Sequence, residues 1–243
     1  FPRSPIEAPP AGGIGLGSLS NSGVNWSTAD AVTFRALRDG DLTDVVFDAT
    51  GVAWISSRQG LIKYEGGGTL ISLLSQATHP ELISENISSL ATNGTLLALG
   101  TDVGVVRFNP SALSDDAQWA QPTGVPEKFA QIPISAMSFA DDGTLYYGTD
   151  DGVFVLSEDL SFQRVLTIAD GLASNVINDL VVRASGEVYI ASGGGLNVFN
   201  PADNRVRLIT YGTVLGGSAV FDLSLSVSDE LWFRTQSGIG HLD

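Results

Sequence analysis

The chain has 243 residues, 43% of them hydrophobic, and a formal net charge of −15 with only two lysines, Lys63 and Lys128. Such an acidic chain excludes nucleic acid as a partner, because binding to a phosphate backbone depends on clustered Lys and Arg. The sequence contains no cysteine, which excludes disulfides and thiolate chemistry. It also has no run of 18 apolar residues, so we expect no membrane insertion.

The first 23 residues are rich in Pro, Gly and Ser and show no strand periodicity. We predict that residues 1–23 form an extended lead-in or tether and that residues 24–243 form a single domain. The chain starts at Phe1 rather than Met, which fits a removed signal peptide or an excised segment. Together with the lack of cysteine, this leads us to expect a periplasmic or extracellular (secreted) location.

After the lead-in, one pattern returns five times, with 43 to 48 residues between copies. Each copy has a strand that opens on an apolar residue, a tight turn, a second strand and a third strand that opens on glycine. The opening residues are Leu42, Ile87, Ile134, Ile177 and Val220, and the glycines are Gly60, Gly104, Gly152, Gly195 and Gly238. A repeat of this length made only of strands is typical of a β-propeller, in which each copy forms one blade.

The second strand of most copies carries an aromatic residue, namely Trp54, Tyr146, Tyr189 and Trp232. The second copy departs from this pattern: Leu97 takes the place of the aromatic residue, and one extra residue precedes the glycine. Because blades bury their faces against one another, we predict that Trp54 and Trp232 are both largely buried between sheets.

A fourth strand is expected around residues 70–74, 162–167 and 205–210, but the fifth copy has none. Residues 31–40 resemble the fourth strand and exit turn of the third copy. We therefore predict an all-β, five-bladed β-propeller of four-stranded antiparallel blades, closed by pairing residues 32–38 with residues 239–242. The alternative is a segment cut from a larger propeller.

The fourth copy shows the repeat most fully. It reads Asp-Gly-Leu-Ala-Ser-Asn at 170–175, Gly-Glu-Val-Tyr-Ile at 186–190 and Gly-Leu-Asn-Val-Phe at 195–199. This order resembles the repeats of two-component-regulator propellers, which have a DGL-x-SN turn, an Asp-bearing strand, G-x-L-W-I-G-T and a G-L-x-x-Y/F ending. The first and third copies match well, and the second and fifth match weakly. The resemblance implies the propeller architecture more directly than a signalling role, and the family's propellers usually have more blades.

Binding is predicted at one rim of the ring, where the turns between second and third strands lie beside the connections between blades. The residues at this rim differ from blade to blade on a regular scaffold, as binding surfaces tend to do. The candidates in the turns are Arg58, Gln59, Asp102, Asp150, Asp151 and Gln236; those in the long connections 75–86 and 121–133 are His79, Glu81 and Lys128. The pair Asp150 and Asp151 suits a cation or a sugar hydroxyl, and equally the capping of its own turn.

No catalytic residue, metal site or cofactor is predicted. The only histidines, His79 and His241, do not make a zinc site without further ligands, and His241 is expected to be structural. Asp44, Asp179 and Asp222 recur at the third position of the first strand, which favours a repeated structural hydrogen bond. The alternative is a five-bladed glycosidase, which needs a carboxylate pair at a controlled separation.

These observations favour a non-catalytic, extracytoplasmic binding, assembly or sensory module that binds a protein partner at the rim. The alternative is a lectin-like propeller that binds carbohydrate. A lectin would repeat one polar and aromatic set in each pocket, whereas the rim residues here differ between blades.

Overall fold

The computed structural model describes residues 15–19, 26–30, 42–64, 71–113, 115, 118–209 and 218–242. Within these ranges the chain is built from strands, and its only helices are short 3-10 turns such as Pro110–Ala112, Glu127–Phe129 and Ile168–Asp170. None of the helices in the described part is long and apolar enough to cross a membrane.

Five antiparallel sheets follow one another along the chain, and each is a meander whose successive strands pair. Blade 1 contains β3 (Leu42–Phe47), β4 (Ala53–Ser57), β5 (Gly60–Tyr64) and β6 (Ile71–Leu74), and blade 2 contains β7 (Ile87–Thr92), β8 (Leu97–Thr101) and β9 (Gly104–Phe108). Blade 3 contains β10 (Ala136–Phe139), β11 (Leu145–Thr149), β12 (Gly152–Leu156) and β13 (Phe162–Leu166). Blade 4 contains β14 (Ile177–Val182), β15 (Val188–Ser192), β16 (Gly195–Asn200) and β17 (Arg205–Leu208), and blade 5 contains β18 (Val220–Leu225), β19 (Leu231–Thr235) and β20 (Gly238–Leu242). A separate hairpin precedes them, formed by β1 (Gly15–Leu19) and β2 (Trp26–Asp30).

The sheets form a ring, and the first strand of each blade is the inner strand. Each inner strand packs beside the next from blade 1 to blade 5, and a separate apolar core fills each of these four blade interfaces. Since every blade buries apolar side chains against its neighbour, no blade is stable by itself. The prediction of a five-bladed β-propeller is confirmed. The closing strand predicted at residues 32–38 lies outside the described residues.

A hydroxyl fixes the turn between the second and third strands in every blade. It belongs to the last residue of the second strand and donates to the carbonyl of the glycine that opens the third strand, at 2.9 to 3.3 Å. These residues are Ser57, Thr101, Thr149, Ser192 and Thr235. The glycines have φ values of 125° to 147°, a conformation that other residues rarely adopt. This Ser/Thr column was present in the sequence and was missed.

Two sequence predictions about the second strand are wrong. Ala98 pairs with Arg107 as Trp54 pairs with Lys63, so Ala98 and not Leu97 occupies the aromatic position, and no residue is inserted before Gly104. Trp54 is fully buried, as predicted, but 43% of Trp232 is exposed. Trp232 stacks on His241, with 5.1 Å between ring centroids, on the face of blade 5 that points away from blade 4. Trp232 stays partly exposed because no blade among the described residues packs against that face of blade 5.

Blades 2 and 5 show three strands each in the described ranges, where four were predicted. In blade 2 a single antiparallel bridge between Arg107 and Ala120 takes the place of the fourth strand. The backbone nitrogens of these two residues each donate to the other's carbonyl, at 2.8 and 2.7 Å. The edge of β9 is therefore covered without a full strand.

Candidate functional site

One rim of the ring, here called the connection rim, combines the turns after the second strands with the connections between blades. Asn86 Nδ2 donates to Asp102 Oδ2 at 3.2 Å, and the backbone nitrogen of Asp102 donates to the Asn86 carbonyl at 3.3 Å. In blade 4 the nitrogen of Gly193 likewise donates to the carbonyl of Val176. These contacts confirm that turns and connections share a rim.

The connection 75–86 is held in one conformation by internal bonds and an apolar anchor. The Gln76 backbone donates to Glu85 Oε1 at 3.0 Å, and Leu82 is buried in the core between blades 1 and 2. His79 lies beside Trp119, with ring centroids 5.9 Å apart, and Trp119 stacks on Phe108 at 4.3 Å. This aromatic column ties the predicted residue His79 to the core of the ring.

The connection 121–133 is anchored in a similar way. The Thr123 nitrogen donates to the Leu160 carbonyl at 3.0 Å, and Phe129 packs edge-on against Phe154 with centroids 5.0 Å apart. Lys128 is exposed, and its Nζ lies 4.3 Å from the centroid of the Phe129 ring. The lysine is thus presented to solvent from a fixed base.

The remaining predicted rim residues lie in turns of separate blades, and the structure does not gather them into one pocket. Arg58 and Gln59 are exposed in blade 1, Asp150 and Asp151 in blade 3, and Gln236 in blade 5, whereas Glu81 is half-buried in the first long connection. The two aspartates do not cap their turn, because Thr149 Oγ1 accepts from the Asp151 nitrogen at 2.9 Å instead. Their carboxylates make no hydrogen bond within the described part of the chain.

A central channel opens between the inner strands. Its mouth forms a cavity of about 250 Å³ lined by Thr43, Asp44, Ser88, Ser89, Ser135, Ala136, Met137, Asn178, Asp179 and Asp222. In blades 1, 2, 4 and 5 the inner strand has a register shift at its second residue. Such an irregularity re-aims a side chain. At three of these sites the re-aimed side chain bonds the next blade.

These second-position side chains each donate to the opening carbonyl of the following inner strand. Thr43 Oγ1 donates to the Ile87 carbonyl at 2.7 Å, and Ser88 Oγ donates to the Ile134 carbonyl at 2.5 Å. Asn178 Nδ2 donates to the Val220 carbonyl at 2.6 Å. The sequence analysis did not predict this set, although a polar residue follows the apolar opener in four of the five copies.

The third-position aspartates form the repeated hydrogen bond that was predicted, at two sites of three. Asp44 Oδ2 accepts from the backbone nitrogen of Leu90 at 2.8 Å, and Asp179 Oδ2 accepts from that of Leu223 at 2.7 Å. Each acceptor therefore bonds the next blade. Asp222 differs, because it pairs with Arg234 of its own blade.

Burial raises the pKa of Asp179 to about 6, and the charges of Asp222 and Asp44 add to this effect. Hydrogen bonds from the backbone of Leu223 and Leu180 oppose the shift and keep it from being larger. The pKa of Asp44 is also raised by burial. The channel mouth is therefore a place where negative charge is poorly solvated.

Asp179→Asn should change how the free energy of unfolding depends on pH. The folded pKa exceeds the ordinary 3.8, so between pH 4 and 6 the folded state binds more protons than the unfolded state, and stability falls as pH rises. Across this window the wild type should lose about 2 kcal/mol relative to the variant, since each pKa unit is worth roughly 1.4 kcal/mol and channel water screens part of it. Urea unfolding at pH 4, 5, 6 and 7 measures this.

The exposed variant Asp141→Asn is the control for this series and should run parallel to the wild type. If the Asp179→Asn and wild-type curves are parallel as well, Asp179 does not hold its proton in the folded ring. The described residues contain no group of three His, Asp or Glu side chains placed to hold a metal ion.

No family model matches the chain, and no curated protein matches it. Among solved structures, the extracellular domain of BT4673 from B. thetaiotaomicron superposes with a TM-score of 0.69 at 17% identity, covering 84% of this chain and 29% of that chain. PorZ of Porphyromonas gingivalis, an essential bacterial surface component of the type-IX secretion system, gives 0.61 at 16% identity, covering 82% and 31%. An inactive virginiamycin B lyase from Staphylococcus aureus gives 0.70 at 9% identity, covering 94% and 73%.

These TM-scores show a shared fold, and identities this low show nothing beyond it. The chain spans less than a third of the BT4673 and PorZ chains. A second structure of the BT4673 domain, described there as part of a hybrid two-component system, matches at 22% identity with a TM-score of 0.62. The chain is thus a β-propeller, and its fold is similar to that of the extracellular domain of BT4673.

Proposed function

We propose that this propeller is a non-catalytic, extracytoplasmic binding module that recognises a protein partner through the connection rim. The observation that carries this proposal is the pair of long connections, which are anchored by Leu82 and Phe129 and present charged groups outward. A fixed, irregular surface on a regular ring suits one specific partner, because little ordering entropy is lost on binding. The extracytoplasmic location is supported by the extracellular setting of BT4673 and the absence of cysteine.

The partner should present basic groups to the rim. Asp102, Asp150 and Asp151 are exposed there, and the chain as a whole carries a charge of −15. A field of this sign speeds encounter with a positively charged surface and disfavours acidic ones.

The lectin-like alternative has less support. The described residues form a cavity of about 280 Å³ between blades 3 and 4, lined in part by Tyr146 and Arg183. This cavity lies at the turns before the second strands, on the opposite rim, and Tyr146 is buried rather than presented for stacking on a sugar. Arg183 donates to the carbonyl of Asp229.

Capture of partners from an extract of the native source tests the proposal. The triple variant Asp102→Asn, Asp150→Asn, Asp151→Asn should retain the partner about tenfold less well than the wild type. Three exposed charges at about 0.5 kcal/mol each give roughly the 1.4 kcal/mol that a tenfold change requires. Quantitative mass spectrometry of the eluates measures the loss.

The matched control is Asp141→Asn with Asp142→Asn, a pair of the same chemistry in the same blade but on the opposite rim. Equal loss in control and triple variant would mean that general charge, not the connection rim, retains the protein. A glycan array that binds the wild type while no protein is captured would replace the proposal with the lectin-like function.

A further inference from the structure

The mouth of the central channel combines three carboxylates with hydroxyl and amide groups, several of which already bond the next blade. Thr43, Ser88 and Asn178 all line it, and each spends a donor on a carbonyl of the next blade. Thr43 and Ser88 still offer their hydroxyl lone pairs, and Asn178 keeps its amide oxygen and one N–H. Because the charged groups of this lining are the carboxylates of Asp44, Asp179 and Asp222, a ligand with N–H donors and a positive charge fits it best.

The negative charge of the mouth is only partly compensated. Asp222 pairs with Arg234, but no Lys or Arg is among the described residues that line the cavity. Asp44 and Asp179 each accept two backbone N–H groups, which stabilise a carboxylate without neutralising it. A positive charge placed here would stabilise the carboxylate of Asp179, whose pKa is raised by burial and, to a smaller extent, by the charges of Asp222 and Asp44.

Ser89 supplies an independent sign of a missing ligand. It occupies the position of Asp44 and Asp179 in blade 2, lines the same cavity and is only 4% exposed. Its Oγ is buried without a hydrogen-bond partner among the described residues. A buried polar atom left unpaired costs about 1–3 kcal/mol. A ligand group that bonds Ser89 would remove this cost, in addition to the binding energy from its contacts with the carboxylates.

We propose that the channel mouth binds an organic cation through a primary ammonium or guanidinium group. A cavity of about 250 Å³ is much larger than a bare ion needs, and the described carboxylates do not converge at metal-ligand spacing. An ammonium group instead distributes three donors over separated acceptors. A neutral sugar fits less well, because it brings no charge to compensate the carboxylates of Asp44 and Asp179.

The cation has two possible sources, a free amine or a Lys or Arg side chain of a protein. This site is separate from the rim surface of the proposed function, and small free cations test it alone. Isothermal titration of the full chain at low salt should show binding of butylammonium and agmatine and none of butanol, which has the same carbon chain without charge. A lysine-bearing and an arginine-bearing peptide form the second arm, and the ratio of peptide to free-amine affinity identifies the source.

Asp179→Asn should weaken amine binding at least tenfold, and Ser89→Ala should weaken it several-fold. Asp141→Asn with Asp142→Asn, an exposed acidic pair on the opposite rim, should leave it unchanged. At pH 6 wild-type binding should release protons from Asp179, seen as a dependence of the heat on the ionisation enthalpy of the buffer. Asp44 and Asp222 line the same mouth, and Arg234 pairs with Asp222. The proton release that comes from Asp179 must therefore disappear in Asp179→Asn, while any release from Asp44 remains.

Two results would overturn the proposal. One is binding of Ca²⁺ with no binding of amines or peptides, which would make the mouth an inorganic ion site. The other is amine binding that is equal in wild type and Asp179→Asn, which would place the cation elsewhere on the acidic surface. The proposed function and this site can fail independently, because partner capture tests the rim variants whereas amine binding tests Asp179→Asn and Ser89→Ala. If the rim variants do not affect partner capture, the proposal for the channel mouth still stands.

Discussion

Replacing Trp54 by alanine should lower the free energy of unfolding by about 3–5 kcal/mol, the usual cost of truncating a large core side chain. Trp54 is fully buried in the core between blades 1 and 2, where its ring packs edge-on against Phe108. Its Nε1 also donates to Asp48 Oδ2 at 2.9 Å. The variant therefore loses apolar burial and leaves Asp48 without one of its donors.

The matched control is Trp232→Ala, at the equivalent position of blade 5. Trp232 is 43% exposed and stacks on His241, so its loss should cost about 1 kcal/mol or less. Guanidinium unfolding of both variants, followed by circular dichroism, measures the difference. Equal losses would mean that blade 5 is covered in solution, and a small loss at Trp54 would contradict the packing between blades 1 and 2.

The contrast between the two tryptophans shows how far the sequence could predict the fold. The repeat places both residues on the same face of the same strand, and this was read correctly. Burial, however, depends on the blade beyond that face. One signal was available: two residues later the other blades have Ser56, Gly100, Gly148 and Ala191, which let the next inner strand approach, whereas blade 5 has Arg234.

The sequence predicted a repeated hydrogen bond at the channel mouth but not which groups donate it. The recurrence of Asp44, Asp179 and Asp222 indicated a repeated hydrogen bond, and two of the three form it. The donor could not be identified, because it is a backbone nitrogen 44 to 46 residues further along, placed by the packing of two blades. The unpaired Ser89 was hidden for the same reason, since only the structure shows which groups stay without partners.

The long connections were the least predictable part of the rim. Their anchors, Leu82 and Phe129, lie in segments without periodicity, so nothing in the sequence distinguishes them from exposed apolar residues. The column of His79, Trp119 and Phe108 joins residues up to 40 positions apart through tertiary packing. Their length alone indicated that these connections were candidates for binding. That they are anchored to the core is seen only in the structure.

Gly152→Ala should destabilise the ring by about 3–5 kcal/mol, combining backbone strain with overpacking. Gly152 opens the third strand of blade 3 with a φ of 125°. A Cβ there would lie less than 3.0 Å from the carbonyl oxygen of Leu166. That carbonyl belongs to β13, whose pairing with β12 prevents it from moving away.

Gly186→Ala separates the two causes. Gly186 has a φ of 85°, but a Cβ there would meet no atom within 4 Å, so only the strain of about 1–2 kcal/mol applies. Thermal and urea unfolding of the two variants should thus differ by about 2 kcal/mol or more. If both variants lose the same amount, the contact with Leu166 is not rigid and the close approach of β12 and β13 is contradicted.

Gly238→Ala extends the comparison to the predicted closure of the ring. Gly238 holds the same repeat position as Gly152, with a φ of 147°, but a Cβ there meets no atom within 4 Å. With β20 as the outer strand of blade 5, the substitution should cost only the strain, as at Gly186. A strand paired with β20 in the register of blades 1 and 3, as the sequence predicts for residues 32–38, would place a carbonyl against the new methyl group and raise the loss to that of Gly152→Ala. A loss as large as that of Gly152→Ala would therefore show that the outer edge of blade 5 is covered in solution.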